Sequence, residues 1–158
     1  MSDTLPTIWE GAAHTFAKHQ ILKTYLKAWM PIMSRQSRRI GIFETDLLFV
    51  DGFAGPGSYA RGENGSPILA LKSVLSHSHE FHVPVRFLFI EQVEKRYTVL
   101  NNTINQYKQQ TEKSARIKSI TVKHGDCERV LNKYLDDLEK TGKKVGPGFF
   151  FLDQFGYS

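Results

Sequence analysis

A single cysteine, Cys127, is present among the 158 residues of this chain. One cysteine permits no internal disulfide and no cysteine-based zinc site. No apolar stretch approaches the roughly 20 residues that a membrane-spanning helix requires. The longest candidates, "FLFI" and "GFFFL", have the length of strands. We therefore expect a cytoplasmic protein that does not use a membrane.

The charged residues show no strong excess of one sign, and they are spread along the chain. Charged residues make up 23% of the sequence, hydrophobic residues 41%, and the formal net charge is +5. This composition predicts a folded core, and its mildly basic balance suits a nucleic-acid partner without requiring one. The densest basic cluster is "SRQSRR" at residues 34–39. It is either a phosphate-binding patch or the solvated end of a helix, and the second is favoured because cations suit a helix C-terminus.

Apolar residues three and four apart predict an amphipathic helix over residues 14–33, which Pro31 is expected to bend or end. Strands and helices then alternate. The predicted strands cover residues 47–50, 83–91, 117–126 and 146–153, and the predicted helices cover residues 66–75, 93–110 and 127–142. Ser66 is the expected N-cap of the helix at 66–75, and Pro67 suits its first turn.

This alternation predicts an α/β fold in which a Rossmann-like, doubly wound parallel sheet follows an amphipathic helix. We expect residues 1–45 to form an N-terminal helical cap. Residues 46–158 are expected to form the first half of the Rossmann-like domain, because nucleotide-binding sheets usually have two halves and one is present. The chain is therefore expected to be a truncated part of a larger domain, and its uncovered fourth strand favours poor solubility or dimerisation.

Acidic residues follow the predicted strands. Asp51, Glu91 and Asp153 end three strands directly, and Asp126 follows the third strand after "KHG". The carboxyl ends of strands in an open parallel sheet line the ligand crevice. We therefore expect these acids to converge on one site.

The loop "DGFAGPG" after the first strand contains two closely spaced glycines, Gly55 and Gly57. Glycines there allow a tight turn and a close approach to a ligand. Pro56 lies between them, and eight residues separate Gly57 from Ser66, so the loop departs from the fingerprint of a nicotinamide-dependent oxidoreductase. A cofactor without phosphates and with a charged amino-acid end fits better, and Asp51 would attract its ammonium group. The alternative is a simple glycine turn after a buried strand.

The remaining acids have two interpretations each. Glu91 can accept hydrogen bonds from both hydroxyls of a ribose, or it is a solvated carboxylate at a strand end. Asp126 contacts an adenine amino group or caps the following helix. Cys127 is expected to be a packing residue, since no base is identifiable beside it.

Two further stretches carry candidate chemistry. "LDQFG" resembles the D-P-P-Y type of methyltransferase motif, in which an acid accepts from the target amino group and an aromatic ring stacks on a flipped base. Gln154 stands in place of the usual proline, and the alternative is a plain strand end and turn. "HSHEFH" contains His77, His79 and His82 with Glu80. A solvated loop is favoured there over a metal site.

The stretches "HTFAKHQILKTYLKAWMPIM", "FVDGFAGPGSY", "GSPILAL" and "FFFLDQFGYS" together resemble the three-Cys-motif partner protein family, over nearly the whole chain. That family is similar to class I S-adenosylmethionine-dependent methyltransferases. The resemblance therefore implies S-adenosylmethionine as the cofactor. The family's name implies a protein partner that carries three cysteines, of the radical S-adenosylmethionine type.

The resemblance also implies roles for particular residues. The cofactor motif falls at Asp51, Gly52, Phe53, Ala54, Gly55 and Gly57, the ribose acid at Glu91, and the adenine contact at Asp126 and Cys127. The catalytic motif falls at Asp153, Gln154 and Phe155, where the family often has "DPFG" and this chain has "DQFG". Lys18 and His19 in "AKH" also match the family, and a helix that covers the methionine end of the cofactor is consistent with them.

The leading hypothesis is thus the cofactor-binding half of an S-adenosylmethionine-dependent methyltransferase, with nucleic acid as a candidate substrate. A second hypothesis is a non-catalytic partner or nucleic-acid-binding module that retains the fold. A nicotinamide-dependent oxidoreductase is the third.

Overall fold

The computed structural model describes residues 13–39, 45–111, 113–142 and 146–154. Helices and strands alternate through these ranges after a long first helix. In chain order the elements are α1 (Ala13–Arg39), β1 (Leu47–Asp51), α2 (Ser66–Leu75), β2 (Val85–Glu91), α3 (Glu94–Thr111), β3 (Ile117–His124), α4 (Cys127–Lys140) and β4 (Gly148–Phe151).

The four strands form one parallel sheet in the order β3-β2-β1-β4. This is the order of the first four strands in a doubly wound nucleotide-binding sheet. The chain proceeds outward from β1 to β3 and then returns to the other side of β1, so the order reverses between β1 and β4. The predicted α/β fold with a Rossmann-like parallel sheet is confirmed at this level.

Both faces of the sheet are covered. Phe49, Phe87 and Phe89 point to one face, where they share a core with buried residues of α1, α2 and α3. Val50 and Ile90 point to the other face, where partly buried residues of α4 pack on them. All residues of β1 are buried, which explains the apolar run at residues 47–50, and burial of each of these four apolar side chains contributes about 1.5–3 kcal/mol to folding.

Helix α1 continues through Pro31 to Arg39, beyond the predicted range of 14–33, so the expectation that Pro31 ends the helix is wrong. Proline has no N–H to donate to the carbonyl four residues earlier, which belongs to Lys27. The Nε2 atom of His77 lies 2.8 Å from that carbonyl oxygen. Because a carbonyl only accepts, Nε2 carries the proton, and it satisfies the acceptor that Pro31 leaves open. The stretch "SRQSRR" forms the last part of this helix.

The histidine-rich stretch lies between α2 and β2, as predicted. Nδ1 of His77 accepts from the main-chain N–H of His79 at 3.0 Å, so both ring nitrogens of His77 bond to the chain. Arg116 donates to the carbonyls of Val74, Leu75 and His77. It therefore supplies hydrogen-bond donors at the C-terminal end of α2. Within the described ranges, no three His, Cys, Asp or Glu side chains are grouped so that they could hold a metal ion.

The N-cap of α2 differs from the predicted residue, and the N-cap of α4 agrees with one of the two interpretations of Asp126. Gly65 is the N-cap of α2, and Ser66 makes no capping hydrogen bond, so the predicted Ser66 cap is wrong. Asp126 is the N-cap of α4 and accepts from the main-chain N–H of Arg129 at 3.0 Å. Its capping role is therefore confirmed.

Three strands are shorter than predicted, and the first of them, β2, begins at Val85 instead of residue 83. β3 ends at His124 and β4 ends at Phe151, so Asp126 and Asp153 lie just beyond their strands. Among the residues described, β4 pairs on one side only, with β1. In that same part of the chain, no helix combines the length and apolar character needed to cross a membrane.

Candidate ligand site at the carboxyl edge of the sheet

Asp51 and Glu91 end the neighbouring strands β1 and β2, and Glu91 lies two residues beyond Phe89, the residue that pairs with Asp51. Asp153 lies close enough to Asp51 for its negative charge to raise the pKa of Asp51. Asp51, Glu91 and Asp153, three of the four acids predicted to converge, therefore lie near one another, and their joint role as a ligand site stays a prediction. Asp126 is exposed at the start of α4 and bonds only within its own helix turn among the contacts described.

The carboxyl group of Asp51 is buried and bonded to the chain on both oxygens. Oδ1 accepts from the main-chain N–H of Phe53 at 3.2 Å, and Oδ2 accepts from the hydroxyl of Ser66 at 2.5 Å. Burial raises the pKa of Asp51 from 3.8 to about 7, against these two hydrogen bonds, and the negative charges of Glu91 and Asp153 add to the rise. Asp51 therefore fixes the loop and the start of α2, and it is closed to direct contact from solvent.

Glu91 is also held by main-chain groups. Oε2 accepts from the N–H of Gly55 at 2.8 Å and Oε1 accepts from the N–H of Val93 at 2.8 Å. A carboxylate oxygen has two lone pairs, so each oxygen retains one acceptor site. The side chain is held at the strand end with 6% of the residue exposed. Two parallel acceptors in this position suit a pair of neighbouring hydroxyls.

The glycine loop adopts a conformation that requires glycine. The φ angles are 64° at Gly55 and 84° at Gly57, in the left-handed region that other residues rarely adopt. Ala54 is buried in the loop and donates its N–H to the carbonyl of Ile90 at 2.9 Å. The loop is therefore attached to β2 at two points, Ala54 and Gly55.

The eight residues between Gly57 and Ser66 fold back on themselves. Ser58 and Asn64 form an antiparallel bridge, and the N–H of Gly65 donates to the carbonyl of Gly57 at 2.8 Å. A Cβ at Gly65 would lie 3.0 Å from the main chain of Gly57, so the two segments need a glycine to approach this closely. The insertion therefore leaves the start of α2 beside the glycine loop.

Gly52 lies where β1 meets β4 and α4. Its N–H donates to the carbonyl of Phe151 at 3.0 Å. A Cβ at Gly52 would lie 2.6 Å from Sγ of Cys127 and 2.7 Å from a methyl of Leu152. Burial raises the pKa of the Cys127 thiol, and the charges of Asp126, Asp51 and Glu128 act in the same direction. Cys127 therefore packs against Gly52 as a neutral thiol, as expected of a packing residue.

Helix α1 reaches this edge through Lys18 and His19. Nζ of Lys18 bonds to Oδ1 of Asp153 at 2.6 Å. His19 is buried, its Nδ1 has no hydrogen-bond partner, and its ring centroid lies 5.8 Å from that of Tyr59. Burial lowers the pKa of His19. The negative charge of Asp153 raises this pKa, and the positive charge of Lys18 lowers it further. Helix α1, which is predicted to cover the methionine end of a cofactor, therefore contacts Asp153.

Two residues beside the acids have no role in the predicted cofactor or catalytic motifs. Burial raises the pKa of Tyr59 to about 12, with the charges of Asp51 and Asp153 contributing, so Tyr59 is a neutral phenol. Ser66 is not the predicted helix cap, and its hydroxyl bonds to Asp51. No pattern in the sequence around Ser66, which lies nine residues after Gly57, indicates this contact. Of the predicted catalytic residues, Gln154 is exposed and Phe155 lies outside the described residues.

Comparisons of the chain with known protein families, with curated proteins and with solved structures gave no match. The ligand class is therefore inferred from the chemistry of this edge. Three carboxyl groups lie beside a glycine loop, and Lys18 pairs with one of them. Such an edge favours a ligand with hydroxyl groups and positive charge. The assignment of these residues to a cofactor stays a prediction.

Proposed function

We propose that this chain binds S-adenosylmethionine at the carboxyl edge of its sheet, as the cofactor-binding part of a methyltransferase-like protein. The observation that carries the proposal is the environment of Glu91. Its two oxygens are oriented by the N–H groups of Gly55 and Val93, and each oxygen keeps a lone pair for a ribose hydroxyl. The glycine loop beside it lets the main chain approach a nucleoside closely.

The hydrogen bonding of the loop disfavours a dinucleotide. A diphosphate requires free N–H groups at the loop and at the following helix, but the N–H groups of Gly55, Gly62 and Gly65 already donate to the chain. Pro67 has no N–H in the first turn of α2. Glu91 bonds directly to the loop, and its negative charge repels phosphate. The sulfonium and ammonium groups of S-adenosylmethionine suit this charge.

The bound cofactor would supply an activated methyl group. The chain would bind and orient the cofactor so that the methyl group faces a nitrogen or oxygen acceptor. We propose a nucleic-acid acceptor on the basis of the sequence pI of about 9.3 and the motif at Asp153. On the resemblance to the three-Cys-motif partner family, we also propose a protein partner that carries three cysteines.

A second function has one observation in its favour. The carboxyl oxygens of Asp51 bond to Phe53 and Ser66, and an oxygen of Asp153 bonds to Lys18. These acids thus contribute to the fold without a ligand, as expected of a non-catalytic module that retains the fold. Such a module would bind nucleic acid with a steep salt dependence and would not bind S-adenosylmethionine.

Calorimetric titration of S-adenosylmethionine tests the proposal, with Glu91→Gln as the variant and Glu94→Gln as the matched control. Glu94 is an exposed carboxylate in the first turn of α3. Glu91→Gln replaces one acceptor oxygen with an amide donor, and we expect affinity to fall about 10- to 100-fold. Glu94→Gln should bind as the unmodified chain does. Absence of binding by the unmodified chain, or equal binding by Glu91→Gln, would contradict the proposal.

A further inference from the structure

We propose that a cavity at the amino edge of the sheet, where the strands begin, binds a phosphate group. The cavity has a volume of about 250 Å³ and is lined by Lys27, Ser73, Ser76, His77, Ser78 and His79. It therefore lies between α1 and the C-terminal end of α2. Glu91 is at the far end of β2, roughly 20 Å from the start of that strand. The inference does not rest on the proposed function.

The described residues that line the cavity suit an anion. Lys27 carries a positive charge, and within the described part of the chain no carboxylate forms an ion pair with it. The hydroxyl of Ser78 and the ring of His79 add groups that can donate hydrogen bonds. The hydroxyls of Ser73 and Ser76 donate to main-chain carbonyls and form polar walls. Because none of these lining residues is acidic or aliphatic, the cavity favours a small oxyanion over a cation or an apolar ligand.

The buried ring of His77 holds the two sides of the cavity together. Its Nε2 donates to the carbonyl of Lys27 at 2.8 Å, and its Nδ1 accepts from the main-chain N–H of His79 at 3.0 Å. The ring also packs on Phe81, with a centroid distance of 5.2 Å. One imidazole thus fixes the main chain at both Lys27 and His79 before a ligand arrives. Such preorganisation lowers the cost of ordering these residues on binding.

Arg116 offsets the negative charge that the end of α2 presents beside the cavity. The free carbonyls at a helix C-terminus carry partial negative charge, which disfavours an anion. The guanidinium of Arg116 donates to three carbonyls at this end, those of Val74, Leu75 and His77. It also lies over the ring of Phe81 at 5.5 Å. The end of α2 therefore carries a bound cation, and this reduces its repulsion of an anion.

The size of the cavity favours a free phosphate or a terminal phosphate over a whole nucleotide. Sites for drug-sized ligands usually measure about 300–1,000 Å³, and this cavity is smaller. A phosphomonoester has one substituent, so its phosphate can enter while the rest of the molecule stays outside. A phosphodiester has two substituents and would need two exits. The monoester also carries about 1.5–2 negative charges at pH 7, which strengthens its attraction to Lys27.

The test titrates inorganic phosphate, and separately ribose 5-phosphate, into the ¹⁵N-labelled chain at constant ionic strength. Sodium chloride is the reference salt, and ribose is the matched ligand without phosphate. The variant is Lys27→Met, and the control is Lys23→Met, one helical turn earlier in α1. Both lysines are exposed, so both variants should fold, and circular dichroism verifies this. The two substitutions remove the same charge, so a difference between them reports the position of the lysine.

We expect phosphate to shift the amide resonances of Ser78 and His79 in a saturable way, and chloride and ribose to leave them unchanged. Lys27→Met should weaken binding about tenfold, and Lys23→Met should change it by less than about twofold. Saturable binding of inorganic phosphate alone would identify the free ion as the ligand, and binding of ribose 5-phosphate as well would identify a terminal phosphate. Absence of a saturable shift, or equal losses in the two variants, would overturn the inference and leave the proposed function untouched.

Discussion

The hydroxyl of Ser66 donates to Oδ2 of Asp51 at 2.5 Å and joins the first residue of α2 to the last residue of β1. The glycine loop and the folded-back segment lie between these two residues in the chain. Asp51 also accepts from the N–H of Phe53. One buried carboxyl group therefore bonds both to the start of the glycine loop and to the first residue of α2. The stability of this edge should therefore depend on the ionisation of Asp51.

The unmodified chain should lose stability as pH rises, because Asp51 is buried. Asp51→Asn should remove this pH dependence. The folded pKa of Asp51 is about 7, against 3.8 for the free side chain. Between these values the folded chain holds a proton that the unfolded chain has released, so stability falls as pH rises from about 4 to about 7 and is constant above. We expect the variant to gain roughly 2–4 kcal/mol relative to the unmodified chain across this range. Urea unfolding at several pH values measures the difference, and parallel stability curves would show the prediction wrong.

Ser66→Ala should destabilise the chain most above pH 7, where Asp51 is ionised. The variant removes a donor from a buried carboxylate, and such a loss costs about 1–3 kcal/mol. Ser76→Ala is the control, because the Ser76 hydroxyl bonds to the carbonyl of Lys72 at an exposed site. Thermal unfolding of both variants at high pH compares them. An equal effect of the two substitutions would count against a structural role for the contact between Ser66 and Asp51.

Gly52→Ala should destabilise the junction of β1, β4 and α4. The added Cβ would lie 2.6 Å from Sγ of Cys127, and overpacking of this kind costs about 1–3 kcal/mol. Cys127→Ala in the same chain removes Sγ and should restore part of the loss. Denaturant unfolding of the two single variants and the double variant measures the coupling. Additive effects would mean that Cys127 is not the obstructing group.

The hydrogen bond from His77 to the carbonyl of Lys27 should matter only while residue 31 is proline. His77→Phe leaves that carbonyl unbonded and should cost about 1–3 kcal/mol. In a Pro31→Ala background, the new N–H at residue 31 can donate to the same carbonyl, so His77→Phe should cost less. A double-mutant cycle by urea unfolding gives the coupling energy. A coupling energy of zero would contradict this account of how α1 tolerates its proline.

The alternation of strands and helices could be predicted because it depends on local patterns. The first four residues of β1 are apolar since both faces of the strand are buried, and an acid ends the strand. The place of Asp126 before a helical run predicts a cap as one of two interpretations, and the structure shows the cap. Each of these features depends on residues that are close in sequence, so a local pattern can predict it.

The remaining features depend on contacts between distant residues. The tolerance of Pro31 depends on His77, the role of Ser66 depends on Asp51, and Lys18 meets Asp153 across 135 positions of the chain. No local pattern contains such pairs. The segment after Gly57 also folds back onto that residue, and no local pattern in the sequence predicts this contact.

The measurement that tests the central claim most directly needs no mutation. Amide spectra of the ¹⁵N-labelled chain are recorded while S-adenosylmethionine, and separately NAD⁺, is added. The N–H groups of Gly55 and Val93 donate to the carboxylate of Glu91, so a ribose bound to that carboxylate should shift both resonances in a saturable way. We predict this shift with S-adenosylmethionine and none with NAD⁺. No shift with S-adenosylmethionine, or the same shift with NAD⁺, would contradict the account.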